Sequence, residues 1–400
     1  MTYQTGANVL VAIRRETSIG VQATATGASQ MRVTSSPGLV LNRANIQSQE
    51  KRADMLRQMA RLGGKSVSGS FNAELTVGGA TDMLLEAIMR STWQAATVTP
   101  FASLTTIAIG TQTLTAAGGD FIAGTPAIRV GDVFVLSGTT VPGNNSVNAR
   151  VISVATQTIM VAPGTFTTLA ATATGTITRL KKVVNGATPV RYSHTIEQFN
   201  TDIDLTELFL GCRCVGVKLS FRPGQMATAQ FTFMGIDRTA LSSGASPYFT
   251  SPTLTTGLDL VADDSAIRFN GAAVANFTGF DLDFTLAAKG EPVIGSFLSP
   301  DIFDNDLTLT GSITALRQDF SNLTLFDAET EFEVSILLQE PTGTPKQALS
   351  IYIPRAKIGG VSAPFGSDGA QVETLPLLIA PKTAATGIDA GYAVIASSAP

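Results

Sequence analysis

Histidine, cysteine and tryptophan are nearly absent from this chain of 400 residues, which has one, two and one of them respectively. His194 alone cannot supply a His-rich metal site, and Cys212 and Cys214 lack the second cysteine pair of a zinc site. On a strand both sulfurs would point from one face, where a disulfide between them would be strained. Ser193 and His194 would face opposite sides of a strand, which disfavours a catalytic triad. We therefore predict no enzyme, no catalytic residue, no metal site and no cofactor.

Charge and long apolar runs are also scarce. Charged residues make up 14% of the chain, and 27 Lys and Arg against 31 Asp and Glu leave a net charge of −4. Such a chain lacks the basic surface with which proteins hold nucleic acid by its phosphates. No stretch approaches the roughly 18 apolar residues of a membrane span, and the first residues lack the pattern of a secretory leader. We expect a protein that is made in the cytoplasm and does not associate with a membrane.

Alternating polar and apolar residues are the clearest positive signal. From Lys65 to Val77 the apolar residues recur at every second position, which predicts a long strand with one wet face. Two glycines then break the strand before the helical pattern DMLLEAIMRS at 82–91. The same order recurs in DLTLTGSITAL at 306–316 and QDFSNLTLFD at 318–327. An internal duplication is therefore predicted.

Composition divides the remainder of the chain. Residues 97–186 carry few charges and several short strand patterns, which predicts a small inserted all-β domain. TDIDLTELFLG at 201–211 is interpreted as a short helix with a Thr or Asp cap and a Gly stop. Other strands are expected at 31–42, 190–199, 214–222, 227–234, 277–288, 331–339, 348–353 and 371–379.

One long charged loop, residues 43–65, separates two predicted strands of the same sheet. A connection of about 20 residues is far longer than an ordinary hairpin loop, and loops of that length are commonly functional.

Four segments carry a family resemblance: residues 36–89, residues 194–235, FDLDFTLAAKG at 280–290 and LSIYIPRAKIGG at 349–360. They resemble the tail tube proteins of long-tailed, non-contractile bacteriophages, in the group with a duplicated tube domain. The resemblance implies a mainly β fold with two tandem β-sandwich or barrel domains, each with a short flanking helix. The expected divisions are 1–96 with 187–240, the insertion 97–186, and 241–400.

The resemblance also implies a function in the virion. Three duplicated subunits would form a ring of six tube domains, and stacked rings would form the conduit for DNA ejection. Expected partners are further copies of the chain, the tape measure protein inside the tube, the tail tip and tail terminator proteins, and DNA in transit. A virion decoration or surface fibre built of β-sandwiches remains the alternative.

Two groups of residues are the candidate sites. Polar and mildly acidic walls do not trap phosphates, so the wet faces of the two duplicated strands are candidates for the channel lining. An ordinary solvent face is the alternative for these strands. The lining candidates are Ser66, Ser68, Ser70, Asn72, Glu74, Thr308, Thr310 and Ser312, with Asp281, Asp283, Asp304 and Asp306 as further acidic wall residues. In the family the long loop forms an arm to a neighbouring ring or subunit, with candidates Arg52, Met55, Leu56, Arg57, Met59 and Arg61.

Overall fold

The structure is a computed structural model that describes residues 3–124, 127–186, 188–242, 244–269, 271–274, 276–365 and 369–399. The described residues are mainly β, with an 18-stranded sheet network, a separate 8-stranded sheet and two α-helices. This agrees with the predicted fold class. The chain is taken below as unit 1 (residues 3–96 and 188–242), an inserted module (residues 97–180) and unit 2 (residues 244–399).

Unit 1 begins with four strands and the longer helix. Their bounds are β1 Val9–Arg15, β2 Ser29–Met31, β3 Gly38–Ile46, β4 Arg61–Glu74 and α1 Gly79–Met89. The inserted module follows, with β5 Thr97–Pro100, β6 Ile107–Ile109, β7 Thr113–Ala116, β8 Val133–Ser137, β9 Asn148–Val154, β10 Thr158–Val161, β11 Leu169–Thr172 and β12 Thr176–Arg179. The chain returns through β13 Lys181–Val184 to β14 His194–Asn200, β15 Leu205–Phe221, β16 Thr228–Gly235 and β17 Asp237–Leu241.

Unit 2 supplies the remaining strands and the shorter helix. They are β18 Thr253–Leu254, β19 Ala266–Phe269, β20 Ala272–Ala273, β21 Phe277–Gly290, β22 Ile302–Leu316, α2 Ser321–Asp327, β23 Phe332–Gly343, β24 Lys346–Ile358, β25 Val372–Ile379 and β26 Val394–Ser397.

Units 1 and 2 repeat one connectivity. In unit 1 the hairpin β3–β4 is followed by a helix and by the meander β14–β15–β16, and β16 returns to pair with β4. In unit 2 the hairpin β21–β22, α2 and the meander β23–β24–β25 follow the same course, and β25 returns to β22. Even the bulge is shared, because the pairing shifts between Lys65 and Leu62 on β4 and between Leu307 and Asp304 on β22. Leu62 therefore matches Asp304.

The two units join through the pairing of β15 with β21, in which Leu219 lies opposite Leu282. This contact makes β3–β4–β16–β15–β21–β22–β25 one continuous antiparallel sheet. One hydrophobic core runs beneath it and includes Phe71 from unit 1 and Ile313 from unit 2. Hydrophobic burial thus stabilises both units together.

The helix predicted at 201–211 is wrong, because most of this segment begins the 17-residue strand β15. Residues 206–209 pair with β14 on one side and with β17 on the other, and Leu208 and Phe209 are buried in two different hydrophobic clusters, one on each face of the strand. Two neighbouring strands supply backbone partners for the same residues, and this tertiary pairing outweighs the local capping signals.

The inserted module has its sheet within the expected insertion, residues 97–186. Its sheet ends at Arg179, and β13 pairs with β26 in the large network. The module packs on unit 2: Val133 and Val135 share a small core with Leu337, and Asn148 Nδ2 donates to Gln339 at 3.1 Å. Next to this contact, the Lys182 amine lies 2.7 Å from Asp132 and 2.6 Å from Asp389, so an ion triad also ties the module to unit 2.

Candidate assembly surfaces

A polar face covers the outer side of the continuous sheet. Facing residues form rows across the strands, since side chains at alternate positions of paired strands share one face. One row reads Glu74, Thr228, Ser220, Asp281, Ser312; the next reads Asn72, Gln230, Lys218, Asp283, Thr310; a third reads Ser70, Thr232, Gly216, Thr285, Thr308. We call these three rows the polar face.

The structure places six of the eight lining candidates within these rows. Ser68 and Ser66 continue the same face of β4 beyond the third row, opposite Val40 and Asn42 of β3. All eight are exposed or half-buried, whereas Phe71 and Ile313 on the reverse side are fully buried. The arrangement brings the polar sides of both duplicated strands to one surface.

Two of the strands between the predicted ones, β15 and β16, were missed as contributors to this surface, whereas Asp281 and Asp283 of β21 were expected there. Thr228, Gln230 and Thr232 of β16 alternate with buried Ala229 and Phe231. That period of two is visible in residues 227–234, so the same rule could have identified them. Lys218 of β15 is exposed on the same face, opposite Asp283, so the face carries a cation beside its polar and acidic residues.

Hydrogen bonds favour the ionised form of Asp281 on this face. Burial alone would raise the pKa of Asp281, but hydrogen bonds from Arg222 and Ser220 outweigh it and lower the pKa. The Asp281 carboxylate lies 2.5 Å from Arg222 and 2.6 Å from Ser220. Glu74 and Asp283 bring two further carboxylates to the surface, so acidic groups outnumber Lys218 there.

Asp304 is not a wall residue, contrary to the expectation. The bulge in β22 turns its side chain inward, where it is buried in a cluster of arginines from unit 1. Its carboxylate lies 2.8 Å from Arg191, 3.0 Å from Arg213 and 3.2 Å from Arg90, and Arg213 also reaches Asp301 at 2.9 Å. These ion pairs bind the hairpin of unit 2 to unit 1.

The arm candidates lie in or beside an exposed connection, residues 47–60, between β3 and β4. The strands extend further than predicted, so this connection is shorter than 43–65, and it contains no helix. Met55 and Met59 are 92% and 94% exposed. Arg52 pairs with Asp54 at 2.6 Å inside the segment, and Arg57 and Arg61 have no ion-pair partner among the described residues.

The matching loop of unit 2, residues 291–301, behaves differently. It lies against unit 1, where the Lys65 amide donates to the Phe297 carbonyl at 2.7 Å and the Arg43 guanidinium stands over the Phe297 ring at 5.3 Å. Both loops lie at the same end of the continuous sheet, because β4 and β22 each begin there. The loop of unit 2 thus contacts unit 1 of the same chain, whereas residues 47–60 of unit 1 are exposed to solvent.

His194 is a buried residue at the start of β14. Burial, and to a smaller degree the nearby Arg15 cation, lowers its pKa to about 3, so the ring is neutral near pH 7. Cys212 and Cys214 are buried and unbonded to each other. Over the described ranges, no three His, Cys, Asp or Glu side chains are grouped as a metal site, and no helix is long and apolar enough to cross a membrane.

A duplicated β fold with a continuous polar sheet face and an extended connection defines a structural protein that is built for assembly. Comparison with protein families matches residues 6–377 to the phage tail tube proteins, and the chain belongs to that family. It is therefore a structural component of the virion tail, in the tube. A comparison with curated proteins finds no match.

Proposed function

We propose that three copies of this chain close into a ring in which units 1 and 2 alternate around six positions. The pairing of β15 with β21 carries this proposal, because it joins the two units edge to edge in one sheet. A head-to-tail repeat of such a contact between copies closes a ring and leaves both ring faces free for stacking. Each unit is then one tube domain.

The polar face would line the channel. Its hydroxyl, amide and carboxylate groups give passing DNA no continuous cationic track, and the reverse side is occupied by the core. DNA in transit and the tape measure protein would meet this surface, and the tail tip and tail terminator proteins would meet the ends of the tube.

Residues 47–60 would contact a neighbouring ring or subunit. They are exposed, their described ion pair is internal, and their methionines and Leu56 offer apolar area to a partner. Exposed apolar groups on a charged segment favour order upon association.

Native mass spectrometry of purified rings, together with class averages from electron microscopy, tests the stoichiometry. We expect three chains per ring and six similar densities around the bore. Rings of six chains would contradict the alternation of units.

A further inference from the structure

Two strand edges of the continuous sheet have no partner strand within the described residues. β3 pairs with β4 alone, and an open groove lined by Pro37, Leu39 and Gln198 runs along its other edge. At the opposite end of the sheet, residues 359–365 bridge to β25 through Ser362 and Thr374. We propose that residues 361–365 of one copy add to β3 of a second copy as an antiparallel strand. This rests on the proposed ring and specifies its closing contact.

The junction inside the chain gives the register. Lys218 lies opposite Asp283, and Leu219 lies opposite Leu282. Positions of β3 are equivalent to positions of β21, because Ser70, which pairs with β3, is equivalent to Ser312, which pairs with β21. Residues 360–365 are equivalent to residues 216–221, because the first segment lies beside β25 as the second lies beside β16. Transferred to the contact between copies, the register sets Ser362 opposite Val40 and Ala363 opposite Leu39.

Glutamine side chains occupy both edges at these positions. The Leu39 amide donates to Gln198 Oε1 at 2.8 Å, and Gln198 Nε2 donates to the Leu39 carbonyl at 3.3 Å. Gln371 Nε2 donates to the Ala363 carbonyl at 3.3 Å. A side-chain amide has the donor and acceptor of a peptide group, so it satisfies an edge strand until another strand replaces it. The two glutamines protect the edges of the separate subunit and release them upon ring closure.

The side chains of residues 361–365 suit this contact. Val361 and Ala363 are half-buried, as the inward side requires, and Ser362 and Pro364 are exposed. Ser362 bonds to Thr374, so the missing amide hydrogen of Pro364, two residues on, falls toward β25 and leaves the open edge intact.

An unpaired aromatic ring marks the end of the same segment. Inside the chain, Phe221 is 2% exposed and stacks on Phe280 with ring centroids 6.0 Å apart. Its counterpart Phe365 is 96% exposed. The register places Phe365 over Pro37 of the next copy, where its apolar surface leaves water.

A disulfide between copies tests the register. Leu39 and Ala363 form the hydrogen-bonded pair, so Val40 and Ser362 form a non-hydrogen-bonded pair with Cα atoms about 4.5 Å apart, within the range of a disulfide. The full chain with Val40→Cys and Ser362→Cys should give covalent dimers and trimers upon mild oxidation of assembled rings. Val40→Cys with Gly360→Cys is the matched control, on the same face but two residues out of register.

A second variant measures the apolar contact. Phe365→Ala should raise the protein concentration needed for ring assembly by about tenfold, since it removes a large part of a buried ring's transfer free energy. Phe320→Ala, which truncates another exposed phenylalanine of unit 2, should leave that concentration unchanged.

The outcomes separate this inference from the proposed function. Rings of three chains with no more cross-linking in the Val40–Ser362 pair than in the shifted control would overturn the contact and leave the ring intact. Failure of the unmodified chain to form three-chain rings would overturn the ring itself, and this contact with it.

Discussion

Units 1 and 2 share a strand order and a bulge, but their helices are covered to different extents. α1 is buried along most of its length, and its Asp82 carboxylate accepts a hydrogen bond at 2.9 Å from Ser397 near the end of the chain. α2 has no buried residue. The helix of unit 1 is thus covered by other parts of the same chain, whereas the helix of unit 2 is left uncovered.

The charges at the two matching contacts differ in the same sense. The hairpin of unit 2 is held to unit 1 by three arginines around Asp304. At the matching place in unit 2, the half-buried Lys357 lies 3.4 Å from the exposed Glu329, and Leu62 stands where unit 2 has Asp304. The contact between the units of one chain is therefore ionic. The matching contact between two copies has no aspartate at the position of Asp304, so a separate subunit does not leave that buried charge unpaired.

Removal of Asp304 should have the largest effect on stability. Asp304→Ala leaves the buried Arg213, and the less buried Arg90 and Arg191, without their shared partner, which costs about 3–5 kcal/mol in the free energy of unfolding. Asp306→Ala is the control, since Asp306 is exposed on the same strand and should change the free energy by less than about 0.5 kcal/mol. Urea denaturation measures both, and equal values for the two variants would show that the ionic cluster does not hold the units together.

Truncation of the core should affect both units almost as strongly. Phe71→Ala should cost about 3–5 kcal/mol and Ile313→Ala, at the matching position, about 2–5 kcal/mol, because each opens a cavity in one shared core. A single calorimetric transition that moves in both variants is expected. Two transitions, each sensitive to only one variant, would mean that the units unfold independently.

His194→Phe should remove an acid sensitivity that the matching position of unit 2 lacks, since Phe332 begins β23 as His194 begins β14. The unfolded histidine takes up a proton below about pH 6.5, and the folded one does so only near pH 3. The free energy of unfolding of the wild type therefore decreases as the pH is lowered through that window, and at pH 5 it is about 2 kcal/mol lower than at neutral pH. The change in the free energy of unfolding between pH 7.5 and pH 5 should be smaller in the variant than in the wild type by this amount. The same change in both proteins would contradict a neutral buried ring.

Lysines on the polar face should alter transport and leave stability nearly unchanged. Asn72→Lys, Thr308→Lys and Thr310→Lys together change half-buried or exposed positions, so we expect a cost within about 1 kcal/mol. Tubes should form, and DNA ejection should become slower and dependent on salt, because the bore gains affinity for phosphates. Ejection with unchanged salt dependence would show that this face does not line the channel.

Deletion of residues 47–60 should have the smallest effect on the subunit and a selective effect on assembly. The segment contributes no buried side chain, so a short turn in its place should leave the melting temperature almost unchanged. We expect folded subunits without tubes in electron micrographs. Tubes of normal length would contradict an assembly role for the segment.

Local periodicity predicted the parts of the fold that depend on one strand at a time. The strands around Phe71 and Ile313 follow from an alternation that fixes both the pleat and the buried face. The strand at 205–211 did not follow, because its identity depends on β14 and β17, which lie on either side of it. Asp304 was misplaced because a bulge changes the face that a residue occupies. The residue types did not reveal this bulge, since the apolar Phe303 is exposed and the charged Asp304 is buried.

The inserted module has a consequence for the outer shape of the tail. It is attached to unit 1 in sequence, yet Asp132, Asn148 and the strand β8 fix it on unit 2. In a ring of three chains each copy contributes one such module, although it contributes two tube domains. The bore would then have nearly six-fold symmetry and the exterior three-fold symmetry, so a tube seen from outside would show three ridges or rows of knobs and not six.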